Sequence, residues 1–201
     1  MFDIQRFTSI SEVRVGTTNF EVYESGNRYL GIATVDLPEI SLSTIEVSGA
    51  GIAGKMEVPV AGQFENMEVT IHWREVSNNF VSLAAYKAHN LTFRSAQHLY
   101  NASSGKIRQE PLKIVVRSIP SKFNIGKLEQ AAETESESTL AIDYIKIWVD
   151  GKEQMEFDRF NHIWKVRTDG KMVDYLSGVR KATGLTTSAV TQKVSSDLLS
   201  L

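Results

Sequence analysis

Apolar and polar residues alternate along several segments of the chain, and this pattern limits its fold more than any other feature. The clearest example is residues 67–74, and a second covers residues 112–117. The apolar positions of the first segment are Met67, Val69, Ile71 and Trp73. A period of two residues places one set of side chains on a core and the other in water, as in a half-buried strand. The chain is therefore predicted to be mainly β, an antiparallel β-sandwich or small barrel with one or two flanking helices.

The alternation changes phase inside residues 140–149, where the apolar residues move from one face of the strand to the other. A β-bulge, or a strand buried on both faces, produces such a change. The dipeptides Asp150-Gly151 and Asp169-Gly170 follow. They are typical of two-residue hairpin turns, in which both positions need positive φ. Returning strands are predicted at residues 155–158 and 160–168.

Two segments have helical spacing instead. Residues 80–89 are predicted to form a helix with Asn78 or Asn79 as its N-cap. Residues 172–182 are predicted to form a second helix, which Gly184 closes.

The chain divides into three regions on composition and pattern. We expect an N-terminal arm at residues 1–18, a β domain at residues 19–185, and a Ser/Thr-rich C-terminal tail at residues 186–201. The first strands of the domain are predicted at residues 20–23 and 29–35. The tail is expected to be disordered or to form a short partner-binding helix.

Bulk composition excludes several classes of protein. The chain has no cysteine, so disulfides and thiolate metal sites are excluded. Its formal net charge of −2 argues against a strongly basic protein that coats nucleic acid. No apolar run has the length of a membrane-spanning helix, and residues 1–7 lack the regions of a signal peptide. We therefore expect neither a membrane span nor secretion.

Residues 49–55 form a glycine-rich segment that allows two interpretations. Its spacing matches the phosphate-binding loop G-x-x-x-x-G-K. In that loop a Ser or Thr follows the lysine and a helix begins, whereas here Met56 follows Lys55 and Pro59 disfavours a helix. We therefore predict a mobile loop between two strands. A P-loop nucleotide-binding enzyme is a remote alternative, and a monomeric β-barrel ligand carrier is another.

Other chemical motifs are weak. The histidines have no metal-binding spacing and are expected at the surface or at strand edges; they are His72, His89, His98 and His162. The chain contains no nucleophile elbow and no paired general acid and base. No catalytic, cofactor-binding or metal-binding residue is predicted, and we expect a structural or binding protein that is not an enzyme.

An acidic segment covers residues 128–138. Its acids are Glu129, Glu133, Glu135 and Glu137. One interpretation is a solvated loop or short exposed helix, and the other is an acidic surface with a function.

A set of short segments occurs in a fixed order between residues 19 and 185. The segments are residues 30–31, 37–40, 54–59, 67–73, 144–151, 157–158, 163–166 and 169–171. Their order and spacing together resemble the major tail tube protein of contractile-tailed bacteriophages. Residues 1–18 and the tail after residue 185 lie outside the resemblance.

The resemblance implies a self-assembling structural subunit. Six copies would form a ring, and stacked rings would form the inner tube of a contractile phage tail, a conduit for DNA. The implied partners are other copies of the chain, the tail sheath protein, baseplate and tail terminator proteins, and, transiently in the lumen, the tape-measure protein and DNA. The implied location is the virion tail, and the bacterial host cytoplasm during assembly.

Two surfaces are assigned on this basis. An inter-ring contact loop is predicted at Gly49, Gly51, Gly54, Lys55 and Met56, because a glycine-rich arm can become ordered on assembly. The four acids of the acidic segment are predicted to face the lumen, where like charge repels DNA. The nearest alternative function is the inner tube of a related contractile injection system, bacteriocin-like or of the type VI secretion kind.

Overall fold

The protein is built around one large antiparallel sheet from which a separate hairpin projects. The computed structural model describes residues 12–31, 33–49 and 51–185. The strands are β1 (Glu12–Glu24), β2 (Arg28–Gly31), β3 (Ala33–Asp36), β4 (Leu42–Val47), β5 (Met56–Phe64), β6 (Glu68–Trp73), β7 (His89–Asn101), β8 (Ile107–Asn124), β9 (Ser136–Val149), β10 (Lys152–Asp158), β11 (Ile163–Thr168) and β12 (Lys171–Asp174). The helices are α1 (Asn78–Leu83) and α2 (Ser177–Ala182). Neither described helix is long and apolar enough to cross a membrane.

The order of strands in the main sheet is β12-β11-β10-β9-β8-β7-β1-β2. One edge of β9 is shared, because β10 pairs with its C-terminal half and β6 pairs with its N-terminal half. Strand β3 pairs with β6, while β2, just before it in the chain, pairs with β1. The predicted mainly β, antiparallel fold with flanking helices is confirmed. Over the described residues the sheet does not close into a barrel.

One face of the sheet forms the core. The four apolar residues of segment 67–73 are all buried, as the alternation predicts. Each contributes about 1.5–3 kcal/mol through removal of its side chain from water. Helix α1 covers the core with Phe80 and Leu83. The indole of Trp73 donates a hydrogen bond to Ser138 Oγ at 3.1 Å, so its one polar atom is satisfied.

The phase change in β9 is a β-bulge, one of the two predicted causes. Arg117 pairs with Tyr144 and Ser118 pairs with Ile142, so Asp143 is the extra residue. Arg117 Nε donates to both oxygens of the Asp143 carboxylate, at 3.0 and 2.9 Å. The turns at Asp150-Gly151 and Asp169-Gly170 have positive φ at both positions, which confirms the predicted two-residue turns.

Both predicted helices are wrong in extent. Helix α1 ends at Leu83 and its N-cap is Ser77, not Asn78 or Asn79. His89, predicted as the helix end, begins β7 and is buried. Its ring lies between Glu24 and the carbonyl of Ala85, and these tertiary contacts override the local spacing.

In the C-terminal part of the domain, sheet pairing also overrides helical spacing. The turn at Asp169-Gly170 returns the chain against β11, so residues 171–174 form β12 and only residues 177–182 form a helix. The strand predicted at residues 160–168 begins later, at Ile163. The Asp158 carboxylate accepts hydrogen bonds from the amides of Phe160 and Asn161 and holds a turn there.

A polar cluster on the other face of the sheet predicts a pH-dependent contribution to stability. Burial alone raises the pKa of Glu156, but hydrogen bonds from Lys165 and Tyr144 and the charge of Lys146 outweigh burial and lower it. Because the folded-state pKa is depressed, the stabilisation is full above the unfolded pKa of about 4.3 and is lost as pH falls through the folded value.

We expect Glu156→Gln to lower the free energy of unfolding at pH 7 by about 1–3 kcal/mol. The difference in the free energy of unfolding between this variant and the wild type should shrink as the pH falls from about 5 to about 3, because the wild-type carboxylate is then protonated. Urea unfolding across this pH range measures both effects. A difference that stays constant with pH would contradict the account.

Candidate functional site

The hairpin of β4 and β5 stands apart from the main sheet. Over the described residues its two strands pair only with each other, and most of their residues are exposed. A two-stranded hairpin on its own is marginally stable in water. We therefore expect contact with another surface to stabilise it.

One face of this hairpin is apolar. Ile45 lies opposite Val58, and Val47 lies opposite Met56, so all four side chains share a face. We call these four residues the apolar strip. Each is between 36% and 59% exposed. Contiguous exposed apolar residues of this kind mark interaction sites more often than free surface.

The glycine-rich loop joins the two strands at the tip of the hairpin. Its residues Gly49, Gly51, Gly54 and Lys55 are exposed, and Met56 begins β5. A strand, and not the helix that a phosphate-binding loop requires, follows Lys55, which confirms a loop between two strands. The Lys55 ammonium lies 2.8 Å from Glu46 Oε1 on the neighbouring strand.

The base of the hairpin is fixed to the domain by aromatic packing. Phe64 packs edge-on against Phe157 and Trp164, with ring centroids 4.4 and 5.2 Å apart. Arg159 donates a hydrogen bond to the carbonyl of Phe64 at 3.4 Å. Gly62 lies against Leu176, where an added Cβ would stand 2.9 Å from Leu176 Cδ2. The domain therefore holds the base in place while the apolar strip and the tip project outward.

Strands β1 and β12 of the main sheet each leave an edge open, as do the short strands β2 and β3. Residues 12–21 of β1 pair only with β7, since β2 meets β1 from Val22 onward. Strand β12 pairs only with β11. These statements apply to the part of the chain that the structure describes. Such edges present unpaired amides and carbonyls, which favour pairing with another chain.

Each acid of the acidic segment has a basic side chain within 4 Å. Lys127 lies 3.7 Å from Glu129 and 3.3 Å from Glu135. Arg74 lies 3.5 Å from Glu133, and His72 lies 3.4 Å from Glu137. The structure therefore brings the predicted acids together at one end of the sheet, where the charges of Lys127 and Arg74 reduce the field of the nearby carboxylates.

The histidines do not form a site. Over the described ranges, no group of three His, Asp or Glu side chains could hold a metal ion. His89 departs from the predicted surface location, because Nδ1 lies 2.7 Å from the buried Glu24 carboxylate. Arg28 donates to the same carboxylate at 2.9 Å. Glu24 and His89 are 65 residues apart, so no local pattern points to this cluster.

Comparison with known proteins decides the family. The family model for phage tail tube protein FII matches residues 17–184. The chain belongs to this family. The tail tube protein of Escherichia phage P2 is 27% identical over 167 residues, which cover 82% of this chain and 94% of that protein.

Membership of the tail tube family supports a structural subunit that assembles into a phage tail and lies in the virion tail. The projecting hairpin, including the predicted contact loop, lies inside the matched residues. The predicted arm at residues 1–18 ends inside β1, which is continuous over residues 12–24. The predicted tail at residues 186–201 lies outside the described residues. The division into arm, domain and tail stays a prediction.

Proposed function

We propose that the chain self-assembles into hexameric rings that stack into the inner tube of a contractile phage tail and form a conduit for DNA. The apolar strip on the projecting hairpin carries this proposal. A subunit that stays free in solution gains nothing from four exposed apolar side chains on a marginal hairpin. A subunit of a stacked assembly buries them against its neighbour.

The hairpin is proposed as the contact between successive rings. Its tip and the start of β5 supply the five residues of the contact loop: Gly49, Gly51, Gly54, Lys55 and Met56. A head-to-tail contact joins different surfaces of the two partners, so it repeats without closing on itself and builds a filament. A projecting arm that contacts the body of the next subunit forms a head-to-tail contact of this kind.

The open edges of β1 and β12 are proposed as the contacts within a ring. Strand β12 ends the strand order on one side, and residues 12–21 of β1 extend past β2 on the other, so an edge of one copy can pair with the other edge of the next. Backbone pairing of this kind extends a sheet from subunit to subunit and removes the unpaired edges.

The remaining partners follow from the same proposal. The outer surface of the tube would meet the sheath protein, and its ends would meet baseplate and terminator proteins. The tape-measure protein and DNA would pass through the lumen. A lumen-facing position for three of the four predicted acids, Glu133, Glu135 and Glu137, is part of the proposal. The ion pairs of Glu133 with Arg74 and of Glu135 with Lys127 make the expected repulsion of DNA weaker than free carboxylates would give. The proposal assigns the chain no catalytic role.

Negative-stain microscopy of the purified full chain at increasing concentration tests the proposal. We expect rings and hollow tubes, with sedimentation that shifts to large species in the same samples. Single particles at every concentration would contradict it. Hydrolysis of ATP that Lys55→Ala abolishes would instead support the remote alternative of a P-loop enzyme.

A further inference from the structure

A shallow groove lies on the face of the sheet opposite the core, where β1, β7 and β8 run side by side. It has a volume of about 520 Å³. Ala96 and Pro111, direct cross-strand partners, contribute small and apolar side chains to it. Arg94 and Lys113, also direct partners, lie beside them. We call this feature the sheet groove.

Over the described residues, neither cation of the sheet groove lies within salt-bridge distance of an acid, although Glu21, which is paired across the strands with Arg94, also lines the groove. Lys113 lies on the side of Arg94 away from Glu21. Like charges directly opposite each other on neighbouring strands are destabilising. The Arg94 guanidinium lies over the Tyr23 ring at 4.8 Å, and the Lys113 ammonium lies over the Trp148 ring at 5.0 Å. Both side chains are exposed. The groove therefore fits a ligand that carries a carboxylate next to an apolar side chain.

The acidic segment presents such a pair of residues. Leu128 is 95% exposed, and Glu129 follows it with a side chain that is 64% exposed. The loop around them has a fixed shape, because Lys127 N donates to Thr134 O and Thr134 N donates to Arg74 O, both at 2.8 Å. Gly126 packs so tightly that an added Cβ would lie 1.9 Å from Thr134 O.

The loop cannot reach the groove of its own chain. The groove meets β8 at Pro111 and the loop leaves β8 after Asn124, thirteen residues further along. At a rise of about 3.3 Å per residue, the two lie roughly 40 Å apart along the strand. If this loop occupies the groove, the loop must therefore belong to another copy of the chain.

We propose that Leu128 and Glu129 of one copy dock in the sheet groove of a second copy. Leu128 packs on Ala96 and Pro111, and the Glu129 carboxylate pairs with Arg94 and Lys113. The contact joins two different surfaces, so it can repeat head to tail in a ring or a stack. It rests on the proposed assembly function, and it places Glu129 at a subunit contact and not in the lumen.

Cysteine cross-linking tests the contact directly, because the natural chain contains no cysteine. The full chain carrying Ala96→Cys and Leu128→Cys is assembled and then treated with an oxidant or a short bismaleimide. We expect a ladder of covalent oligomers, since docked residues approach the distance at which cysteines join. Each single variant should give no ladder. Leu128→Cys with Ser104→Cys, in the exposed turn between β7 and β8, is the matched control and should give none either.

Charge exchange provides a second readout that does not depend on cross-linking. We expect Glu129→Lys and Lys113→Glu each to raise the concentration needed for assembly on the order of tenfold, and the double variant to restore it largely. Lys113→Glu replaces a like-charge pair across the strands by an opposite-charge pair with Arg94, so the monomer should stay folded.

The outcomes separate this contact from the proposed function. The docking contact would be overturned if tubes form normally but the variant with Ala96→Cys and Leu128→Cys gives no ladder. It would also be overturned if Glu129→Lys and Lys113→Glu leave the concentration needed for assembly unchanged. Neither result would contradict the proposed tube. A wild-type chain that forms neither rings nor tubes would overturn both.

Discussion

We expect the deletion of residues 50–55 to yield a folded protein that forms no tubes. Val47 and Met56 are direct cross-strand partners, so the deletion leaves Ser48 and Gly49 as a two-residue turn between them. Two-residue turns close antiparallel hairpins well. Gly49 tolerates the positive φ that such a turn needs, and Ser48 adopts it at a modest cost. The hairpin can therefore still form, while the tip that would contact the next ring is missing.

A second variant tests the apolar strip without changing the loop. Ile45→Lys combined with Val58→Glu places opposite charges directly across the hairpin, so strand pairing is kept. We expect a folded protein whose tube formation is abolished, because burying the two charges against a neighbour costs several kcal/mol.

The matched control lies on the other face of the same hairpin. Glu46 and Glu57 are direct partners, so Glu57→Lys replaces a like-charge pair by an opposite-charge pair and keeps the contact between Lys55 and Glu46. We expect normal tubes from this control. Circular dichroism reports the fold of each variant, and electron microscopy reports assembly. Normal tubes from the double variant at Ile45 and Val58 would contradict a role for the hairpin in the contact between rings.

Phe157→Ala is expected to cause the largest loss of stability, about 3–5 kcal/mol. The side chain is 1% exposed and packs against Phe64 at the base of the hairpin. Truncation leaves a cavity where the main sheet and the hairpin meet, and the surrounding strands cannot collapse to fill it.

Phe160→Ala is the matched control for this effect. Phe160 lies three residues away and is 67% exposed. Its truncation should change the free energy of unfolding by less than about 0.5 kcal/mol. Urea unfolding followed by tryptophan fluorescence measures both variants. Equal losses of unfolding free energy from the two substitutions would contradict a core position for Phe157.

The features that could be predicted from the sequence are those that local chemistry determines. The alternation of residues 67–73 gave β6 its buried face, and the two Asp-Gly turns need no information from distant residues. In both cases a short pattern has one good structural solution. The phase change in residues 140–149 allowed two explanations, and the bulge at Asp143 is one of them.

The features that sequence alone missed depend on distant partners. Residues 171–174 have helical spacing, yet they form β12 and pair with β11. If they were helical, the backbone groups of β11 that face them would lack these partners. Glu24 and His89 lie on β1 and β7 and meet only in the folded sheet. Propensity is a weak guide at such positions, because tertiary contacts contribute more than the few tenths of a kcal/mol that separate local conformations.

The candidate site shows the same limit. Residues 45–47 and 56–58 alternate as core strands do, so the sequence cannot show that this strip is exposed. The glycine-rich loop was predicted to be a contact from a family resemblance, whereas the hairpin that presents it, and its apolar face, appear only in three dimensions.

A reconstruction of the assembled wild-type protein by cryo-electron microscopy tests the central claim most directly. The account predicts rings of six subunits, with residues 45–58 of each hairpin covered by a subunit of the next ring. A tube in which the apolar strip faces solvent would contradict it.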